Sequence, residues 1–184
     1  MADLLLASAS PRRRELLEQI GVNFISEAQD IDESVRVNET PSQYVERLAR
    51  EKAEKGCRAL NMTALGSDTC VVLDGEILSK PTSIEDAKAM LNRLSGRSHQ
   101  VLTGVAVCKN EDHELTLSSQ VVSTDVSFMP LTSAQIERYV ATGEPMDKAG
   151  SYGIQGKAAV FVSAIVGSYS NVVGLPLMET AQLL

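Results

Sequence analysis

Three consecutive arginines, Arg12-Arg13-Arg14, stand where a helix is expected to begin, and that placement constrains the N-terminal part of the chain. Leu4-Leu5-Leu6 reads as a short buried strand. Ser10 is placed as an N-cap, and Pro11 suits the first helical position, where its missing N–H would be unpaired anyway. Leu16, Leu17 and Ile20 follow at helical spacing, and Gly21 predicts the stop. A helix N-terminus already carries about half a positive charge, so three cations there raise an unfavourable potential. An anion resolves the conflict. Small serines, backbone N–H groups and guanidinium forks at a strand-to-helix turn together suit a phosphate. Three solvated surface arginines remain the alternative on local pattern.

The rest of the composition sharpens that contrast. The chain has 184 residues and a formal net charge of −7, enough for one domain with a sizeable core, two lobes included. An acidic balance disfavours nucleic acid as a partner, since broad nucleic-acid binding needs a net basic face. No apolar run is long enough to span a membrane, and the chain opens on a strand rather than a signal peptide, so no membrane association is expected. Cys57, Cys70 and Cys108 are odd in number and far apart, which fits a reducing cytoplasm and gives no zinc spacing. With His99 and His113 as the only histidines, a histidine-rich metal site is not expected.

Further along, Val22 to Ser26 predicts a second strand, followed by an acidic irregular stretch from Glu27 to Glu33. Pro41 opens a helix to about Leu60 with Val45, Leu48, Ala49, Ala53 and Leu60 on its apolar stripe. Glu46/Arg50, Glu51/Lys55 and Glu54/Arg58 lie at supporting i, i+4 spacing. Ala64 to Leu73 reads as a strand closed by the hairpin signal Asp74-Gly75. Thr82-Ser83-Ile84-Glu85 reads as a capping box for a helix to Leu94, with Gly96 beyond it. Two long strands follow, Gln100 to Lys109 and Leu115 to Met129, joined by a polar turn at 110–113. Thr132 to Gln135 predicts another capping box, for a helix ending near Thr142-Gly143. A glycine-rich loop through Gly156, a strand around Val160 to Val166 and a short helix after Pro176 complete the chain. Alternating strands and helices with long central hairpins predict an α/β fold on a mixed sheet.

Several side chains break these local patterns. Lys52 falls on the apolar stripe, with neither acid nor amide at i±3 or i±4. It points to the core or a cleft, or it snorkels over the helix edge. Asp68 lies inside a β-rich apolar run, where a carboxylate is costly unless paired, hydrogen-bonded or on a metal. Capping a strand end is its alternative. Lys80 is restrained by Pro81. Glu33 is not separable from Glu27, Asp30 or Asp32 by physics alone, and such runs are usually solvated. Near the end, Gly150, Gly153 and Gly156 surround Gln155. Glycine permits close approach of a ligand, and a glutamine amide both donates and accepts, as reading a uracil-like base edge requires. An ordinary flexible loop is the alternative there.

Taken in order, Ser8-Ala9-Ser10-Pro11-Arg12-Arg13 with Glu15-Leu16-Leu17, Arg50-Glu51-Lys52-Ala53, Gly66-Ser67-Asp68-Thr69, Lys80-Pro81, and Asp147-Lys148-Ala149-Gly150 through Gln155-Gly156 resemble the Maf family of nucleoside triphosphate pyrophosphatases. The resemblance covers essentially the whole chain. It implies one Maf/ITPase-like domain over residues 1–184, two-lobed, with an elongated mixed β-sheet flanked by helices and a central active-site cleft. It further implies a homodimer in the cytoplasm, and hydrolysis of a nucleoside triphosphate between its α and β phosphates with a divalent metal, Mg or Mn. By position it makes Asp68 the proton acceptor, Glu33, Lys52 and Lys80 its catalytic companions, and Glu33 with Asp68 the metal ligands. Ser8, Ser10, Arg12, Arg13, Thr69 and Gln155 are implied in substrate binding. Arg12, Thr69 and Gln155 match the branch similar to dTTP/UTP pyrophosphatases rather than the branch acting on 7-methyl-GTP. A nucleotide-binding regulator of cell division with little catalysis is the competing expectation, disfavoured because binding alone does not call for an uncompensated carboxylate beside phosphates.

Overall fold

The computed structural model describes residues 4–111 and 114–184. Seven strands form one mixed sheet in the order β2-β1-β3-β5-β6-β7, with β4 paired to β3. β1 (Leu4–Leu6) runs parallel to β2 (Phe24–Ser26) and to β3 (Ala64–Leu73), with Leu5 opposite Ile25 and Ala64. The links between these strands are helices α1 (Pro11–Gln19) and α2 (Pro41–Leu60), as parallel neighbours require. Asp74 and Gly75 both take positive φ, 54° and 83°, and return the chain from β3 into antiparallel β4 (Glu76–Leu78). Then follow α3 (Ile84–Leu94), β5 (Ser98–Glu111), β6 (Glu114–Phe128) and α4 (Ser133–Val140). Three 3₁₀ turns, Glu144–Asp147, Ala149–Ser151 and Lys157–Phe161, lead to β7 (Val162–Val166), antiparallel to β6. The chain ends in α5 (Tyr169–Val173) and α6 (Leu177–Leu183).

The chain divides into two compact units. The first comprises Met1–Thr69, Thr103–Val122 and Gly174–Leu184; the second comprises Cys70–Leu102 and Ser123–Val173. Small residues dominate one core cluster of the first: Ala49, Ala53, Cys57, Ala64, Ala106 and Cys108 around Leu5. That choice lets α2 lie close on the sheet. A Cβ at Gly66 would be driven into the Ala49 carbonyl and the Ala53 amide of α2, so glycine alone allows β3 to pass there. The second unit is built on larger groups. Phe128, Tyr139, Tyr152 and Phe161 pack edge to face with Leu91, Leu94, Val126 and Ile136 around them.

The bounds of α2 are as the sequence predicts, and a cap it does not predict, Thr40 with Gln43, adds a full capping box. Thr132 and Gln135 form theirs as expected. Elsewhere the structure corrects the reading. Ser10 occupies the N-cap of α1 but its hydroxyl makes no cap hydrogen bond. The capping box at α3 shifts by one: Ser83 is the cap, its hydroxyl accepts from the Asp86 N–H at 3.0 Å, and Asp86 accepts from the Thr82 N–H at 2.9 Å. Ile20 and Leu60 are exposed at 38% each, because both lie at helix ends beyond the sheet's reach. Of the three expected i, i+4 pairs on α2, Glu54–Arg58 forms at 2.7 Å. Glu46 and Arg50 converge on the Ser119 hydroxyl instead, and Lys55 donates to the Asp30 carbonyl. The expected strand at 160 begins only at Val162, since Lys157–Phe161 is 3₁₀. The predicted turn at 110–113 falls partly outside the described residues, with Asn110 and Glu111 belonging to β5.

Candidate functional site

Lys52 decides which of the polar residues belong together. It projects from the packed face of α2, where Val45 and Leu48 are fully buried, and its own exposure is 7%. An ammonium that deep needs counter-charge. Two carboxylates supply it: Asp68 Oδ1 on β3 at 2.7 Å and Glu33 Oε1 from the acidic loop at 2.6 Å. Core, rather than snorkelled, is therefore the outcome for Lys52, and Asp68 is paired within its apolar strand. Close passage of α2 over Gly66 sets the reach from Lys52 to Asp68 two residues later.

Glu33 is singled out from its acidic neighbours by where the loop is tied. The Tyr44 hydroxyl donates to the Glu33 carbonyl at 3.0 Å. Arg47 donates to the carbonyls of Asp32 and Ser34 at 3.3 and 2.9 Å and makes a two-pronged pair with Glu39, at 2.5 and 2.9 Å. Those Arg47 hydrogen bonds, with one from the Arg36 N–H, pull the Glu39 carboxyl down to about 2. Arg47 and Glu39 brace the loop that carries Glu33, and the sequence reading missed them. Their pairing is local but off the i, i+4 spacing, since Glu39 directly precedes the Thr40 cap of α2 and Arg47 lies about two turns into that helix.

The strand-to-helix turn lies in the same unit. Ser8 is buried, and its hydroxyl accepts from the Ser10 N–H and from Arg13 Nη1, each at 3.2 Å. Arg13 spends its other donors on the Gly174 carbonyl at 2.8 Å and the Thr69 hydroxyl at 3.2 Å; Thr69 in turn meets the Thr103 hydroxyl at 2.9 Å. Burial holds the Arg13 guanidinium below its ordinary pKa, opposed by the charges of Asp68 and Glu33. Arg13 is thus a strut that links Ser8, Thr69 and Gly174. Arg12, half-buried, makes no hydrogen bond or ion pair among the described residues, so its donors are uncommitted. Ser8, Arg13, Glu33, Lys52, Asp68 and Thr69 are brought together in this network, with Ser10 and Arg12 on the same turn.

Lys80 and Gln155 belong to the second unit. Both are exposed and neither has a hydrogen bond or ion pair among the described residues. Gln155 sits in a defined turn rather than a slack loop, since the Gly156 N–H donates to the Gly153 carbonyl at 3.0 Å.

Other chemistries find little support. A groove of about 620 Å³ runs between Asp30, Asp32 and the Glu51, Glu54, Lys55 and Arg58 face of α2, but four carboxylates against two cations make it a poor host for an anion. All three cysteines are buried free thiols, and burial beside Cys57 pushes the Cys108 thiol up to about 12, so it stays protonated. His99 is buried and pulled down to about 4 by burial, with Asp125 opposing.

Comparison with known proteins agrees with this architecture. Over the full chain the fold matches a HAM1 protein from Coxiella burnetii, with a TM-score of 0.50 at 18% identity, covering 100% of this chain and 98% of that one. The molecule is therefore an α/β protein of the HAM1-like fold class. More narrowly, the model of the Maf-like protein family matches residues 3–184, and the chain belongs to the Maf family. A dTTP/UTP pyrophosphatase of Pseudoalteromonas atlantica is 54% identical, covering 98% of this chain and 95% of its own. Another, of Symbiobacterium thermophilum, is 52% identical over 100% and 93%.

Proposed function

We propose that this protein is a nucleoside triphosphate pyrophosphatase acting on dTTP and UTP, releasing the monophosphate and pyrophosphate. The observation that carries the reading is the Lys52 ammonium shared by Asp68 and Glu33 beside an arginine-bearing strand-to-helix turn. Family membership and relatives above 50% identity named dTTP/UTP pyrophosphatase support it.

The residues divide the work. The triphosphate is held at the turn by Arg12, whose guanidinium is free for two parallel hydrogen bonds to phosphate, with the Ser8 and Ser10 region and the α1 dipole. Arg13 keeps Ser8 and Thr69 in place and adds its charge. Lys52 engages one oxygen of Asp68, leaving the other to accept a proton from water as the water attacks. The bond between the α and β phosphates breaks, and pyrophosphate leaves with the charge that Lys52 and the arginines help to offset.

Glu33 and Asp68 also fit a divalent cation. Among the described residues no group of three histidine, cysteine or carboxylate ligands forms a cage. Two carboxylates completed by water and phosphate oxygens are, however, the donor set that Mg²⁺ takes with nucleotides. When bound there, the cation supplies Lewis-acid neutralisation of phosphate charge. Gln155 reads the base, presenting an amide to the O4/N3–H edge that uracil and thymine share. A homodimer in the cytoplasm is part of the same proposal. No helix among the described residues is long and apolar enough to cross a membrane, and sedimentation measures the dimer.

Incubating the protein with Mg²⁺ and each of dTTP, UTP, CTP, ATP and GTP tests the reading. Turnover of dTTP and UTP above the rest is expected. Tight binding without turnover indicates a regulator, and faster turnover of ATP or GTP removes the pyrimidine assignment.

A further inference from the structure

Both sides of the turn that carries Gln155 are tied down within the second unit. Gly153 and Gly156 close it, which places Ile154 and Gln155 at its centre. On the leading side Tyr152 is buried, its hydroxyl shares a 2.7 Å hydrogen bond with His99 Nε2, and its ring packs edge-on against Phe128. The trailing side is held by Glu144. The Lys157 N–H, two residues past Gln155, donates to Glu144 Oε2 at 3.0 Å, and the Tyr139 hydroxyl donates to Oε1 at 3.1 Å. Lys148 Nζ fixes the Glu144 main chain by donating to its carbonyl at 2.8 Å. Close approach is built in: a Cβ at Gly156 would be driven into the Glu144 carboxylate.

The hydrolytic chemistry makes no use of Glu144. Both of its oxygens are spent on groups that frame the turn. A turn with glycine at both ends has little stiffness of its own, and hydrogen-bond discrimination weakens steeply with misalignment. We propose that Glu144 is a positioning residue for pyrimidine selection, fixing where the Gln155 amide is presented to the O4/N3–H edge of the base. The proposal rests on the reading of Gln155 as the group that recognises the base.

The test measures kcat and KM for UTP and CTP with Mg²⁺ in wild type, Glu144→Ala, Glu144→Gln, Gly156→Ala and Gln155→Ala. In Glu144→Ala the KM for UTP should rise more than kcat falls, and the UTP-to-CTP ratio of kcat/KM should drop about tenfold. Gly156→Ala, which keeps the carboxylate but displaces it, should do the same and gives the answer if Glu144→Ala does not fold. Glu144→Gln should restore the ratio, because its amide oxygen accepts from the Lys157 N–H while its NH₂ donates to the Tyr139 hydroxyl. An equal loss on UTP and CTP, or a wild-type ratio in Glu144→Ala and Gly156→Ala while Gln155→Ala abolishes it, overturns the positioning role. A wild-type ratio in Gln155→Ala overturns the base reading itself.

Discussion

The Lys52 centre and the Gln155 turn are both held in place, but by opposite means. Around Lys52 the packing is thin, with alanines and Gly66 bringing α2 onto β3, and the geometry is fixed by charge: one ammonium between two carboxylates, one arginine spending its donors on three oxygens. Around Gln155 the geometry is fixed by bulk: interlocked aromatic rings with a single carboxylate on a backbone N–H. Charge that is already arranged suits a step in which charge moves, because no reorganisation is then needed. A rigid frame suits discrimination between bases of similar size. Perturbations should therefore separate, with substitutions in the first region changing rate and phosphate binding and those in the second changing the choice of base.

The largest expected effect is on Asp68. Asp68→Asn keeps shape but can neither accept a proton nor balance Lys52, so turnover should fall by roughly 10²–10⁴ while nucleotide binding survives. Kinetics with a parallel binding assay check this. Near-normal turnover in the folded variant would erase the contrast between the regions.

Next is pH, whose first effect on acidification should fall on the second region, ahead of the Glu39 carboxyl of the first, which is held at about 2 against an ordinary 4.5. His99 is held neutral at about 4 by burial against an ordinary value of 6.5. Its folded pKa is depressed, so the unfolded chain binds a proton first. Stability is then full above about pH 6.5 and declines as the pH falls toward 4, by about 3 kcal/mol from this group. Urea denaturation across that range measures it, and His99→Gln should flatten the slope.

These two regions were unequally legible in the sequence. Lys52 on an apolar stripe and Asp68 in an apolar strand are violations of a pattern, and a violation is visible locally. Their pairing with each other follows once α2 lies on β3. Glu33 was not separable from Asp30 or Asp32, because what selects it is the tether from Tyr44 and Arg47, across 11 to 15 residues of chain. The region from Glu144 through Gly156 reads as a glycine-rich loop, with a strand expected from about Val160. The 3₁₀ turns there depend on contacts to Glu144 and His99 that no local period encodes. Helix α5 was missed for the same reason: at five residues it is too short for a periodic signal, and it is held by Asn171 donating to the Val101 carbonyl at 2.9 Å.

A smaller effect sharpens the comparison through selectivity. Gln155→Ala should reduce UTP-over-CTP discrimination, expected to be about tenfold to a hundredfold in wild type. It should leave thermal stability nearly untouched, since the side chain is exposed. A substrate panel and a melting curve check both halves.

The smallest effect distinguishes two adjacent arginines. Arg12→Ala should weaken triphosphate binding several-fold at low salt without loss of stability, because its guanidinium is uncommitted. Arg13→Ala should weaken binding and also destabilise the fold by about 1–3 kcal/mol, since it removes the three hydrogen bonds that tie Ser8, Thr69 and Gly174 together. Relief of arginine repulsion does not outweigh that loss. Unchanged affinity in both variants would make the turn an ordinary surface.

The most direct test is to quantify products from dTTP and Mg²⁺ with the purified wild-type protein. A charge-fixed centre that cleaves between the α and β phosphates yields dTMP and pyrophosphate in equal amounts. Release of dTDP with inorganic phosphate, or saturable binding with no product at all, would contradict it.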